Sequence, residues 1–98
     1  MSGDREGGSA RFEAIVHGIV QGVFFRYSTK KEADRLGIRG TVQNWPDGTV
    51  HVDASGDPER LKEFLTWLHA GPAHAVVEQV DVAWHADPAP GEGFRILS

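Results

Sequence analysis

Two stretches of this 98-residue chain carry the period of an amphipathic helix, and the other apolar stretches alternate with period two; the order in which they come leaves few folds open. Phe25, Thr29, Ala33 and Leu36 make one stripe, with Lys30, Lys31, Glu32, Asp34 and Arg35 around the other sides, which predicts a helix over 26–36 stopped by Gly37 in the left-handed region. Leu61, Phe64, Leu65 and Leu68 make the second stripe. Asp57-Pro58-Glu59 opens it with a capping carboxylate, a proline at the first helical position and an acid in the first turn, and Gly71-Pro72 closes it. The alternating runs predict strands over 11–17 (Phe12, Ala14 and Val16 inward), 38–44 (Ile38, Gly40, Val42, Asn44), 49–54 (Val50, Val52, Ala54) and 75–84 (Val76, Val80, Val82, Trp84), with a short last strand over 93–97. Trp45-Pro46-Asp47-Gly48 joins the second and third as an antiparallel hairpin, Pro46 and Gly48 suiting its turn. The order β-α-β-β-α-β plus a terminal strand predicts an α+β, ferredoxin-like split β-α-β sandwich: an antiparallel sheet with two helices on one face. Residues 11–98 are expected to form this single domain, and the Gly- and charge-rich residues 1–10 a flexible N-terminal tail.

The rest of the composition narrows the function. The net charge is −4, against the basic face a general nucleic-acid binder carries, so any anionic ligand must be held by local groups. Without cysteine there are no disulfides and no thiolate chemistry, which fits a cytoplasmic protein. No apolar run has the length of a membrane span, and no basic start followed by an apolar run marks a signal peptide. The histidines His17, His51, His69, His74 and His85 are scattered without ligand spacing, so no zinc site is expected.

Between the first strand and the first helix runs Gly18-Ile19-Val20-Gln21-Gly22-Val23-Phe24-Phe25-Arg26. Two glycines allow turns that a side chain would block. Successive amides in such a turn can converge on one hollow, and the first amides of the helix have no partner within it. Arg26, in the first helical turn, adds a planar fork suited to phosphate oxygens. On spacing alone, an anion site and a tight turn with a surface arginine stand equal. Asn44 ends the second strand on the face its neighbours use for the core, where its amide needs satisfying; on the residues alone, capping of the following turn is the stronger reading.

Gly18 to Arg26 resembles the signature loop of the acylphosphatase family. Gly40-Thr41-Val42-Gln43-Asn44-Trp45-Pro46-Asp47-Gly48-Thr49-Val50 resembles that family's second signature, and the Ala33, Leu36, Gly37 and Gly40 pattern between them also matches. The resemblance covers about residues 11–97. It implies hydrolysis of an acyl phosphate to a carboxylate and inorganic phosphate, with no metal, no cofactor and no covalent enzyme intermediate. It further implies that Arg26 and Asn44 are the catalytic residues, Asn44 positioning the water. The backbone of Ile19, Val20, Gln21, Gly22, Val23, Phe24 and Phe25 would hold the phosphate, with Gln21 bracing the turn. Position 43 departs from the pattern, being Gln where the family more often has Arg, and by parity it faces away from Asn44. A small-molecule substrate, no nucleic acid or membrane partner and a monomeric state are the matching expectations.

Two other readings stay in view. A noncatalytic anion-binding or regulatory module can have the same fold. A ferredoxin-like RNA-binding domain would need exposed aromatics and basic residues on the open sheet face, where Arg11, Glu13, His17, His51 and Asp53 are expected instead. His17 adjoins the loop, but its outward parity and the lack of an evident carboxylate partner make it a surface histidine. Trp67 and Trp84 read as core or edge packing.

Overall fold

Phe12, Ala14 and Val16 point to one side of the first strand, β1 (Ala10–Ile19), and the hydrophobic core is built on that side. The computed structural model describes residues 9–97. After β1 come α1 (Phe25–Leu36), β2 (Arg39–Asn44), β3 (Val50–Gly56), α2 (Pro58–Ala70), β4 (Val76–His85) and β5 (Phe94–Leu97). The sheet order is β4-β1-β3-β2-β5. The expected tail falls on residues 1–8, outside the described residues, and on Ser9 and Ala10; Ala10 already pairs with Gly56 in the sheet.

The helical stripes bury as expected. Phe25, Thr29, Ala33 and Leu36 are the buried residues of α1, and Leu61, Phe64 and Leu68 those of α2. They meet Phe12, Ala14, Val16, Val42, Val50, Val52 and Ala54 of the sheet. Phe64 stands at the centre, with its ring 6.1 Å from Phe12 and 5.9 Å, nearly edge-on, from Phe94. Each large apolar side chain buried there contributes about 1.5–3 kcal/mol of transfer free energy. Thr29 is tolerated among them because its hydroxyl donates to the Phe25 carbonyl at 2.7 Å.

The fold is the expected α+β sandwich, with an amendment to the sheet: β1, β2, β3 and β4 pair antiparallel, whereas β5 lies parallel to β2. The physical reason is the route of the chain. After β4 it reverses direction but crosses the end of the sheet to the opposite edge instead of turning back as a hairpin. The crossing is tied down by the Ala89 amide, which donates to the buried Ser55 hydroxyl at 3.0 Å, and by the Gly40 amide, which donates to the Gly93 carbonyl at 2.9 Å. Consequently β1, β2 and β5 all point their carboxyl ends the same way, toward the start of α1.

A second amendment concerns β4. Val76 is exposed and Val77 packs against the core instead. The register between β1 and β4 shifts after the His17–Gln79 pair, so that Gly18 faces Val77 and Glu78 is skipped. This bulge flips the side-chain parity before Val80. Gly18 is what allows it: its φ is 131°, and a Cβ there would lie 2.0 Å from the Val76 carbonyl oxygen. Gly18→Ala therefore meets both backbone strain and a clash with main chain, neither of which a side chain can relieve. A loss of about 3 kcal/mol or more is expected in urea unfolding.

Candidate active site

The two helices are closed at their starts in opposite ways. Asp57 caps α2, its carboxylate accepting from the amides of Glu59 at 3.1 Å and Arg60 at 3.2 Å, with Pro58 next in line. At α1 the capping position is Phe24, no side chain caps the helix, and its first turn has no acid. The amides at the start of α1 thus keep their capacity to donate, and the dipole there favours an anion.

A cavity of about 310 Å³ opens at this point. Its walls are Val20, Gly22, Phe24, Phe25, Arg26 and Tyr27 from the loop and first helical turn, Asn44 from the end of β2 and Ile96 from β5. Among the described residues Arg26 has no carboxylate partner; its guanidinium reaches only the Leu97 carbonyl, at 3.4 Å. The Oδ1 of Asn44 is buried and has no hydrogen-bond partner among the described residues. A buried amide oxygen left alone is costly, about 1–3 kcal/mol, and Asn44 lines the same cavity as Arg26.

Gln21 holds the two sides together. Its Nε2 donates to the carbonyls of Trp45 at 2.7 Å and Thr49 at 2.9 Å, so the loop is pinned to the hairpin that carries Asn44. The hairpin is set by its own turn. The Gly48 amide donates to the Trp45 carbonyl and the Trp45 amide to the Thr49 carbonyl, while the Asp47 carboxylate accepts from the amide (3.0 Å) and hydroxyl (2.6 Å) of Thr49.

The acylphosphatase family model matches residues 12–96. An acylphosphatase of Thermococcus kodakarensis is 46% identical over 82 residues, covering 84% of this chain and 89% of its own, and one of Nocardioides sp. is 54% identical over 70 residues, 71% of each chain. The solved structure of an acylphosphatase from Coxiella burnetii superposes with a TM-score of 0.89 at 32% identity, covering 97% of this chain and 99% of its own. The chain belongs to the acylphosphatase family. Arg26 and Asn44, 18 positions apart in the sequence, line a common cavity of this acylphosphatase fold, together with Val20, Gly22, Phe24 and Phe25.

The side chains of Ile19, Gln21 and Val23 take other places. Ile19 is exposed and pairs with Val76, Gln21 turns to the hairpin, and Val23 packs against the core. Two cavity residues are new relative to the sequence reading, Tyr27 and Ile96, as is the Leu97 carbonyl that Arg26 reaches. Ile96 shares the face of Phe94 by parity, but only the parallel pairing with β2, which sets Ile96 beside Val42, brings it to the cavity. Tyr27 lies off the apolar stripe and carries no spacing signal.

The other sheet face is a polar surface. Arg11 grips Asp53 with two hydrogen bonds of 2.9 Å, His85 meets Glu13 at 3.0 Å, and Trp45 stacks on His51 with ring centres 3.9 Å apart. His17 corrects the expectation that it has no carboxylate partner: its Nε2 lies 2.8 Å from Asp81, a pairing across β1 and β4 that the sequence separation hid. Hydrogen bonds from Gln79 and then His17 hold the Asp81 carboxyl below the usual carboxylate range. Gln43 borders the groove on this face, with Trp45 and His51, away from the Arg26 cavity. Among the described residues no group of three or more His, Cys, Asp or Glu side chains is placed to hold a metal ion.

Thr49, first by its hydroxyl and then by its amide, lowers the Asp47 carboxyl below its ordinary value. A carboxyl whose folded pKa is depressed adds stability above its unfolded pKa of about 3.9, and that stability is lost as pH falls through the lower, folded value. Asp47→Ala should therefore melt below the native chain at neutral pH, and the gap in melting temperature should narrow as the pH is taken below about 4.

Proposed function

We propose that the Arg26–Asn44 cavity is the catalytic centre through which this chain hydrolyses acyl phosphates, splitting the carboxyl–phosphate bond to give a carboxylate and inorganic phosphate. The observation that carries the assignment is that Asn44, whose buried Oδ1 has no hydrogen-bond partner among the described residues, lines one cavity with Arg26, which has no carboxylate partner among them, at the uncapped start of α1.

In this mechanism the backbone amides of the Ile19–Phe25 loop and the first turn of α1 hold the nonbridging phosphate oxygens. Arg26 adds two-pronged, charge-assisted bonds that strengthen as those oxygens flatten into the transition state. Asn44 positions a water in line with the departing carboxylate. The water oxygen forms a bond to phosphorus, the phosphorus–oxygen bond to the acyl group breaks, and the electron pair leaves with the carboxylate. Asn is a poor base, so the water's proton passes to the phosphate itself. Positioning and charge stabilisation suffice for so good a leaving group. The enzyme works without a metal, as a monomer of the cytoplasm, on a small molecule and not on nucleic acid. The net charge of −4, the absence of cysteine, and the acids Glu13, Asp53 and Asp81 on the open face support these last points.

The primary test is release of benzoate and phosphate from benzoyl phosphate with a chelator present. Undiminished hydrolysis is expected, and its absence would overturn the assignment. Asn44→Ala should lower kcat by about 10²–10³-fold, or 2.7–4 kcal/mol, the loss typical of one preorganised donor, while calorimetry still detects phosphate. Arg26→Lys keeps the charge but loses the fork, so phosphate affinity and turnover should fall together. An arginine and an asparagine give the reaction no general base that works near neutrality. The rate should accordingly be flat across mid pH and insensitive to His17→Gln; an inflection that vanishes in His17→Gln with a large fall in rate would place the base at His17 instead.

A further inference from the structure

Phe24 sits where a bulky residue has no packing reason to be. Among the described residues it is the one non-glycine with a positive φ (60°, ψ 25°), and its ring is 79% exposed. The left-handed region is unfavourable for such a side chain, and here no side-chain hydrogen bond at the cap offsets it. Strain of this kind persists where the surrounding fold imposes it, and it concentrates at ligand sites.

The neighbours of the ring supply a reason. Seven large apolar side chains stand exposed among the described residues, and three of them, Phe24, Tyr27 and Ile96, line the Arg26 cavity. Tyr27 is 58% exposed with the Lys31 ammonium 5.7 Å from its ring centre, and Ile96 is 39% exposed. Among the described residues Arg26 is the only cation of the lining itself, and no carboxylate belongs to it. With the phosphoryl group held by amides and Arg26, the acyl group is left the wall formed by Phe24, Tyr27 and Ile96.

We propose that Phe24 is a specificity-determining residue: with Tyr27 and Ile96 it forms an apolar collar that selects acyl phosphates whose acyl group is neutral and apolar, aromatic above all. This rests on the acyl phosphate assignment and refines it. A flat ring of the substrate covers the exposed faces of Phe24 and Tyr27, whereas a methyl group reaches little of either.

The test compares kcat/KM for benzoyl phosphate and acetyl phosphate in the native chain, Phe24→Gly and Ile96→Ala. Glycine tolerates the left-handed region and brings no side chain that could cap the helix amides, so the first variant removes the ring without adding strain. The benzoyl-to-acetyl ratio should fall about tenfold or more in Phe24→Gly and by a smaller factor in Ile96→Ala, the range a hydrophobic pocket gives for lost apolar contact. Competitive inhibition by inorganic phosphate should stay within about twofold, because amides and Arg26 hold the phosphate. A ratio unchanged in both variants, with both substrates still turned over, would overturn the collar and leave the hydrolase assignment standing. If the native chain hydrolysed neither substrate, the assignment would fall and the collar with it.

Discussion

One amide group joins the two halves of the site. The Nε2 of Gln21 bonds to the carbonyls of Trp45 and Thr49, and through them the phosphate-side loop and the Asn44 hairpin become one unit. Without that link, Arg26 and Asn44 would hang from separate elements, each free to shift by the ångström or so that orienting chemistry does not tolerate. A polar residue within the loop thus acts from behind the site, bracing groups that stand in front of it.

The direction of the strands decides where that site is. Since β1, β2 and β5 run the same way, their carboxyl ends meet at one edge of the molecule, where α1 begins. The amides at the start of α1, the Asn44 side chain and the Leu97 carbonyl come from three distant parts of the sequence, yet need no long loops to reach one another. The two sheet faces then divide the labour: one is sealed by the helices and supplies rigidity, and the other is held by ion pairs such as Arg11–Asp53.

Much of this was readable from residues alone, and the exceptions have a common cause. Periodicity located both helices because a buried stripe must recur every three or four residues, and Asp57-Pro58 and Gly37 marked where they start and stop. Arg26 and Asn44 were singled out by the family signatures, not by spacing, and the fold sets both on one cavity. What escaped were facts of pairing between strands. The skipped Glu78 reversed the parity of Val76, and the Asp81 partner of His17 lies 64 positions away. Ile96 reached the cavity only through a parallel pairing. Period-two patterns describe a strand by itself; they do not say which strand lies beside it, or where a bulge breaks the step.

That last pairing separates the site from the fold that carries it. β5 is four residues long, only Phe94 of it is buried, and its contact with Arg26 closes a span of 71 residues. An edge strand of four residues has few ladder bonds to lose, and proteins open first where such anchoring is thin. Release of β5 leaves the other four strands and most of the core intact, yet it takes away Ile96 and the support of Arg26 together. The cavity therefore draws Ile96, and Arg26 its Leu97 contact, from the shortest strand of the described sheet, so the geometry of the cavity and that of the core are held by different parts of the molecule.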